Sequence, residues 1–231
     1  MQSNYVLEMA NDYFRFKKFT IHQSMCAMKV GTDGTLLGAW ANGGKQVLDI
    51  GTGTGLIALM MAQRCPDSIV MGIDIDEVAV RQARQNVEES VFAERVSIEC
   101  CGLADAEGEY DCLVSNPPFF VDSLSCPDAQ RSIARHADTL TYASLMENGW
   151  RLLSDGGEFS LIIPFDCKAR LESEAILRGF FKARECAVKT TPTKSPRRYL
   201  LAFRKHAAPM ECSELIIGSD TYKEITKDFY L

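Results

Sequence analysis

Val47-Leu48-Asp49-Ile50-Gly51-Thr52-Gly53-Thr54-Gly55 is the stretch that decides the fold of this 231-residue chain. An apolar run over residues 45–50 that ends in closely spaced glycines is typical of a buried β-strand followed by a tight loop. The apolar segment 55–63 predicts a helix after the loop, which Pro66 ends. A strand, a loop and a helix in this order begin an open α/β sheet, and such sheets bind ligands at the carboxyl ends of their strands.

The rest of the chain alternates between strand and helix patterns, and no internal repeat or linker interrupts it. Two consecutive strands at the end are expected to pair with each other. We therefore predict an α/β fold with a doubly wound, Rossmann-like sheet that is mostly parallel and has an antiparallel edge strand. Residues 1–42 are predicted to be an N-terminal extension packed on a single domain of residues 43–231. The predicted strands are 68–73, 95–100, 110–115, 158–163, 180–190 and 198–204, and the predicted helices are 76–89 (capped by Asp76), 138–153 (ended by 154–157) and 166–178 (ended by Gly179).

The glycine loop and two acidic residues predict the kind of ligand. Gly51, Gly53 and Gly55 let the backbone turn tightly and approach a ligand closely. Asp74, at the end of the second predicted strand, can accept hydrogen bonds from ribose hydroxyls. Asp49 suits the ammonium group of an amino acid better than a pyrophosphate, which a carboxylate repels. These features favour S-adenosylmethionine as the cofactor over NAD or another nucleotide, whose typical loop is Gly-x-Gly-x-x-Gly.

Ser115-Asn116-Pro117-Pro118-Phe119 is the second informative motif, and it follows the strand predicted over residues 110–115. The two prolines fix the backbone and end the strand. The Asn116 side-chain oxygen and the Pro117 carbonyl can accept both hydrogens of a flat exocyclic amine. Phe119, or Phe120, can stack on the ring that carries the amine. Together with the glycine loop, this turn predicts methyl transfer to a planar nitrogen, for which no strong base is needed because the sulfonium is already activated.

The net charge of −6 argues weakly against a nucleic-acid partner, but the charge is distributed unevenly along the chain. Residues 66–128 hold 14 acidic and 3 basic residues, whereas residues 178–205 hold 9 basic residues and one acid. Phosphate binding depends on the local field, so the second segment is a candidate RNA surface; its alternative is a solvated face. We predict phosphate contacts from Lys194, Arg197 and Arg198, and further contacts from Lys17 and Lys18.

Several classes of protein are disfavoured by composition. No apolar run approaches the roughly 18 residues of a membrane span, and residues 1–5 lead into no secretory signal. The nine cysteines include no Cys-x-x-Cys pair, which favours reduced thiols over disulfides or a zinc site. We therefore expect a cytoplasmic protein without metal, without membrane contact and without an obligate protein partner.

The order of glycine loop, acidic strand end and Asn-Pro-Pro-aromatic turn resembles the class I methyltransferases that act on exocyclic or amide nitrogens. Further segments are similar to the bacterial tRNA1(Val) (adenine(37)-N6)-methyltransferase family, and the resemblance spans nearly the whole chain. The N-terminal extension is its most specific part. The similar segments are residues 16–23, 28–40, 134–136, 192–198 and 228–231.

This resemblance implies that a methyl group is transferred from S-adenosylmethionine to N6 of adenine 37 in valine tRNA. It also implies that Thr32 and Asp33 border the cofactor and that residues 116–119 hold the adenine. Phe119 replaces the tyrosine of many relatives, and the segment 101–105 lacks an acid directly after the strand, where one often meets the cofactor's adenine. His136 is expected to position groups or contact RNA rather than act as a base. Methylation of ribosomal RNA adenine or of a protein glutamine remains an alternative.

Overall fold

The computed structural model describes residues 12–26, 29–118 and 140–231. Ten strands and six helices alternate along this part of the chain, with a short 3₁₀ turn at Phe165–Cys167. The strands are Tyr13–Arg15 (β1), Thr20–His22 (β2), Gln46–Ile50 (β3), Ile69–Asp74 (β4), Val96–Cys100 (β5), Tyr110–Ser115 (β6), Leu153–Pro164 (β7), Phe181–Lys189 (β8), Arg198–Arg204 (β9) and Glu211–Ile216 (β10). The helices are Thr32–Trp40 (α1), Leu56–Arg64 (α2), Glu77–Glu88 (α3), Tyr142–Leu152 (α4), Lys168–Leu177 (α5) and Asp220–Thr226 (α6).

Eight strands form one sheet in the order β10-β8-β9-β7-β6-β3-β4-β5. β3 to β7 are parallel, and β9 runs antiparallel to both of its neighbours, β7 and β8. The predicted fold class, a mostly parallel sheet with antiparallel pairing on one side, is confirmed. The structure adds β10, which was not predicted and pairs in parallel with β8 beyond the antiparallel strand. Because β9 is reversed, it begins at the edge where the parallel strands end, which we call the carboxyl edge.

Helices cover both faces of the sheet, as a doubly wound fold requires. Successive residues of a strand point to opposite faces, so Val47 and Leu48 of β3 lie in two different clusters. The first cluster joins the sheet to α1, α2 and α3, and the second joins it to α4 and α5. The fully buried side chains on both faces explain why the central strands are apolar throughout.

The segment before α1 packs on the core through aromatic residues. β1 and β2 form an antiparallel pair, and Phe16, Phe19 and Ile21 are buried in the first cluster. The rings of Phe16 and Phe19 stack with centroids 4.8 Å apart. Phe229, near the end of the chain, lies in the same cluster. The division of the chain into residues 1–42 and 43–231 stays a prediction.

Helix boundaries follow the expected capping residues, with one exception. Asp76 accepts a hydrogen bond from the Val78 N–H at 2.8 Å, and Gly179 has a φ of +92° after α5, so both predicted boundary residues are confirmed. The exception is the segment 154–157: α4 ends at Leu152, within one residue of the predicted end, but the segment predicted to mark this end is not a helix stop. It lies inside β7, and a Cβ on Gly157 would come within 2.9 Å of the Asp111 carbonyl. The glycine is required there by close packing against the neighbouring strand rather than by a helix end.

Candidate active site

The glycine loop after β3 turns through three left-handed residues and borders open space. The N–H groups of Gly51 and Thr52 both donate to the Ile73 carbonyl at 2.9 Å, which holds the loop against β4. Gly51, Gly53 and Gly55 have φ values of +70°, +57° and +80°, which confirms the predicted tight turn. A Cβ built on Gly51 or Gly53 would meet no atom within 4 Å. The loop therefore offers bare backbone to a ligand at the carboxyl edge.

Asp49 lies beneath this loop and is completely buried. Its Oδ2 accepts hydrogen bonds from Thr52 Oγ1 at 2.7 Å and from the Ala58 N–H at 3.1 Å. Burial raises the pKa of the carboxyl to about 7; the two hydrogen bonds oppose the shift and the nearby Asp74 adds to it. The other oxygen, Oδ1, is buried without a hydrogen-bond partner among the described residues. A ligand that brings positive charge near this carboxyl would stabilise its ionised form.

Asp74 connects the end of β4 to the glycine loop. Its Oδ2 accepts a hydrogen bond from the Gly53 N–H at 2.9 Å, and its Oδ1 accepts one from the Asp76 N–H at 3.0 Å. The side chain is half-buried, and each carboxylate oxygen has a second lone pair for a further donor. The geometry fits an acid that is oriented by the backbone and can still accept hydrogen bonds from ribose hydroxyls.

Asn116 follows β6 and lies next to the glycine loop. Ser115 pairs with Ile50 of β3 and Leu161 of β7, and its hydroxyl donates to the Ile50 carbonyl at 2.9 Å. Gly51 follows β3 and Asn116 follows β6 at the same level of the sheet. The two strands are neighbours, and neighbouring strands lie roughly 4.8 Å apart. Asn116 Oδ1 is buried and has no hydrogen-bond partner within the described part of the chain.

Phe119, predicted to stack on the target base, lies outside the described residues, as does His136. Pro117 is described and buried. The Asn-Pro-Pro turn is therefore seen up to Pro118, which is exposed.

The first turn of α1 contacts the start of β9. Asp33 Oδ2 and Arg198 Nε are 2.7 Å apart, and both side chains are partly exposed. Thr32 opens the helix and is exposed. A residue predicted to border the cofactor is thus paired with a residue predicted to bind RNA, which the sequence did not suggest.

The other predicted RNA contacts lie in two places. Lys194 and Arg197 are exposed in the loop from β8 to β9, at the carboxyl edge, and the Arg197 N–H donates to the Val188 carbonyl at 2.9 Å. Lys17 and Lys18 lie beside the C-terminal segment instead. The Lys17 ammonium donates to the Lys227 carbonyl at 2.5 Å, so that part of its hydrogen-bonding capacity is used within the fold.

The positive charge counted along residues 178–205 is largely neutralised in three dimensions. Arg184 and Arg204 both pair with the buried Glu158, at 2.6 and 2.9 Å. Lys182, Lys189, Arg178 and Arg198 also have acidic partners. The count from the sequence therefore overstates the exposed positive charge. Among the described residues, Lys194 and Arg197 on the carboxyl edge have no acidic partner, nor does Lys205 after β9, whose ammonium lies over the Trp150 ring.

Asn86 is a residue of the site that the sequence analysis missed. It is fully buried on α3, and its amide nitrogen donates to the carbonyls of Thr54 in the glycine loop and His22 in β2, both at 2.9 Å. Its Oδ1 accepts a hydrogen bond from the His22 N–H at 2.8 Å. Asn86 thereby joins the N-terminal hairpin to the glycine loop. A polar residue on the apolar stripe formed by Ala83 and Val87 was the available signal.

The described residues contain neither a metal-binding cluster nor a membrane-spanning helix. Across residues 12–26, 29–118 and 140–231, no group of three or more His, Cys, Asp or Glu side chains is placed to hold a metal ion. Within the same ranges, no helix has both the length and the apolar character needed to cross a membrane.

Comparison with known proteins agrees with this geometry. Residues 34–193 match the family model described as Methyltransferase small domain, so the fold and site define a methyltransferase. A protein from Bacteroides thetaiotaomicron is 44% identical over 96% of this chain and 99% of its own length, and one from Phocaeicola vulgatus is 45% identical over the same shares. Both are named tRNA1(Val) (adenine(37)-N6)-methyltransferase, as is a relative from Histophilus somni at 39% identity. The chain belongs to the tRNA1(Val) (adenine(37)-N6)-methyltransferase family.

Solved structures share the fold at low sequence identity. A predicted O-methyltransferase from Agrobacterium tumefaciens superposes with a TM-score of 0.68 at 15% identity, covering 85% of this chain and 96% of that one. A ribosomal protein L11 methylase from Lactobacillus delbrueckii gives a TM-score of 0.57 at 17% identity, with coverages of 80% and 84%. At such identities, these likenesses establish the architecture and nothing about the substrate.

Proposed function

We propose that this enzyme transfers a methyl group from S-adenosylmethionine to N6 of adenine 37 in valine tRNA. The observation that carries the proposal is the buried, unpartnered Asn116 Oδ1 beside an open glycine loop. A buried acceptor without a donor is costly, and an exocyclic amine supplies that donor. The names of the relatives identify the RNA and the position of the base.

The glycine loop and its acids form the proposed cofactor site. Backbone at Gly51 and Gly53 approaches the bound molecule, and Asp74 accepts hydrogen bonds from its ribose. Asp49 favours a positively charged amino-acid portion through its buried carboxyl, and Thr32 and Asp33 border the site from α1. S-adenosylmethionine, when bound, supplies a methyl group on a sulfonium, which is an activated leaving group.

Asn116 and Pro117 hold the amine of the target base. The Asn116 Oδ1 and the Pro117 carbonyl each accept one of its two hydrogens, and this arrangement favours a pyramidal nitrogen. The lone pair of the amine, otherwise delocalised into the ring, is then available for in-line attack on the methyl group. The role of Phe119 as a stacking residue stays a prediction.

The RNA is expected to approach the carboxyl edge. Lys194 and Arg197 would bind phosphates of the anticodon loop, because they are exposed and have no acidic partner among the described residues. A base in a structured loop has to be turned out to enter the site, which costs a few kcal/mol. A tRNA substrate places the proposed activity in the cytoplasm.

The test uses purified enzyme, labelled S-adenosylmethionine, and total tRNA or total ribosomal RNA from cells that lack the enzyme. The products are digested to nucleosides and resolved by mass spectrometry. We expect label in N6-methyladenosine from tRNA only. Asn116→Ala should lower the rate by about 100-fold or more, the usual cost of removing one preorganised hydrogen-bonding group, and leave cofactor affinity within about twofold.

Asn148→Ala is the matched control, because Asn148 is a half-buried asparagine on α4 whose side chain hydrogen-bonds only within its own helix. It donates to the Ser144 carbonyl and accepts from Arg151. It should methylate tRNA at the wild-type rate. Unchanged methylation by Asn116→Ala would overturn the assignment of this turn. Label in ribosomal RNA alone, or in neither RNA, would refute the tRNA substrate; in the second case, protein glutamine becomes the substrate to test.

A further inference from the structure

An open cavity of about 340 Å³ lies at the carboxyl edge, beside the proposed target-base site. Its volume falls at the lower end of the range of small-ligand pockets, roughly 300–1,000 Å³. Residues from the end of β7 form one wall and residues from the start of β9 form the other. The lining residues are Pro164, Phe165, Asp166, Pro196, Arg197 and Arg198.

Phe165 is the unusual residue of this cavity, because this large apolar residue is 51% exposed. The Phe165 N–H donates to the Arg197 carbonyl at 3.1 Å, which ties the two walls together. One neighbouring ring, Tyr199, lies 6.2 Å away at an angle of 33°. The aromatic side chain is thus held at a defined place and still leaves half of its surface available for a flat partner.

The charges around the cavity are mixed. Arg197 is exposed and has no acidic partner within the described residues, whereas Arg198 is paired with Asp33. Asp166 is exposed on the opposite wall. A cation beside an aromatic ring suits a phosphate and a base, and a carboxylate can accept a hydrogen bond from the exocyclic amine of a base.

The cavity is within reach of the RNA that enters the active site. Ser115 pairs with Leu161, so Asn116 is level with the residue after Leu161, and Pro164 lies two residues further along β7. At about 3.3 Å per residue, this offset along β7 is roughly 7 Å. Because the target adenine is turned out of the stack, the nucleotide next to it can reach the cavity.

We propose that this cavity binds an unpaired nucleotide adjacent to the methylated adenine, with its base stacked on Phe165 and its phosphate held by Arg197. The proposal rests on RNA being the substrate, as proposed above. It assigns substrate positioning to Phe165, which no motif of the sequence analysis included, and it explains why an aromatic ring is exposed at this edge.

The test measures binding of a fluorescein-labelled RNA stem-loop with the anticodon arm sequence of valine tRNA. Phe165→Leu should weaken binding roughly tenfold to 100-fold, as expected for the loss of one base–aromatic stack, and Phe165→Trp should restore it to within about threefold. Affinity for S-adenosylmethionine should be unchanged in both. Phe181→Leu is the matched control, since Phe181 is 48% exposed but begins β8 at the opposite edge of the sheet.

Two further readouts separate stacking from a general loss of structure. 2-Aminopurine placed on either side of the target adenine should be quenched by the wild-type enzyme at one of the two positions, and Phe165→Leu should abolish that quenching. Arg197→Ala should weaken binding and reduce the slope of log affinity against log salt by about 1.

The outcomes distinguish this proposal from the proposed function. Methylation of tRNA by the wild type, combined with wild-type RNA binding by Phe165→Leu, overturns the nucleotide site alone. Failure of Phe165→Trp to restore binding also overturns it, because stacking would then not be the interaction. If the wild type neither binds the stem-loop nor methylates tRNA, both the nucleotide site and the RNA substrate are overturned.

Discussion

Replacing Asn86 by alanine tests whether the N-terminal hairpin and the glycine loop are held together by a single side chain. The change removes three hydrogen bonds of 2.8 to 2.9 Å. The bond to the Thr54 carbonyl is buried, and leaving that acceptor unpaired costs about 1–3 kcal/mol. The two bonds to the His22 backbone are partly accessible, and water can replace part of each, so they contribute about 0.5–1 kcal/mol apiece.

The expected loss is therefore about 3 kcal/mol in the free energy of unfolding. For a chain of this size, it corresponds to a decrease in Tm of roughly 6–12 °C. Affinity for S-adenosylmethionine should fall by about fivefold if about 1 kcal/mol of the loss acts on the loop. Chemical denaturation and calorimetric titration measure the two quantities.

Gln85→Ala is the control for this experiment. Gln85 is the neighbouring residue on α3, is exposed, and donates a surface hydrogen bond to Glu89. Its replacement should change stability by less than about 0.5 kcal/mol. A loss below about 1 kcal/mol for Asn86→Ala, together with unchanged cofactor affinity, would refute the bridging role of Asn86.

Three other changes have expected outcomes that the structure determines. Gly53→Ala should destabilise the fold by about 1–2 kcal/mol because its φ is +57°, and it should weaken S-adenosylmethionine binding because the new Cβ enters the open space beside the loop. The control is Gly156→Ala, since Gly156 has no neighbour within 4 Å and no positive φ. Equal cofactor affinities for the two variants would contradict the assignment of the loop. Asp49 has a pKa of about 7 in the folded state, against an ordinary value of 3.8, so the folded state binds this proton more tightly than the unfolded state. The wild type therefore loses stability as pH rises from about 4 to 7, by at most about 1.4 kcal/mol per pH unit. Asp49→Asn lacks this titration, so its stability relative to wild type should improve between pH 5 and pH 8 in urea unfolding; a constant difference would disprove the titration. Glu158→Gln leaves two arginines without their buried carboxylate and should lower the free energy of unfolding by about 3–5 kcal/mol. Cofactor affinity should not change, since Glu158 lies opposite Cys112 in the strand register, near the start of β6 and away from the carboxyl edge. Weakened cofactor binding would show that this cluster reaches the site.

Features that depend on local backbone physics could be predicted from the sequence. Closely spaced glycines require a tight turn, and the φ values at Gly51 to Gly55 agree with it. Two prolines end β6 at Ser115, as expected for residues that cannot donate to a ladder. Asp74 lies where the end of a parallel strand places it, against the loop.

Features that depend on contacts between distant parts of the chain could not be predicted from the sequence. The ion pairs of Arg184 and Arg204 with Glu158 make an apparently basic segment largely neutral. The three residues lie far apart in the sequence, so no local pattern indicates that they pair. β10 was missed because four of its six residues are exposed, so an edge strand of this kind shows no alternation of apolar and polar residues. Phe165 follows a buried strand, and its exposure is visible only in three dimensions.

If Asp33 borders the cofactor and Arg198 binds an RNA phosphate, as predicted, the ion pair between these two residues couples the binding of the two substrates. A phosphate that binds Arg198 competes with Asp33 for the same guanidinium, and a ligand that contacts Asp33 changes the charge that Arg198 presents to a phosphate. Linkage requires such an effect to be reciprocal: the factor by which one ligand alters the affinity of the other is the same in both directions. With these assignments, occupancy of either site would change the affinity of the other through this ion pair of 2.7 Å.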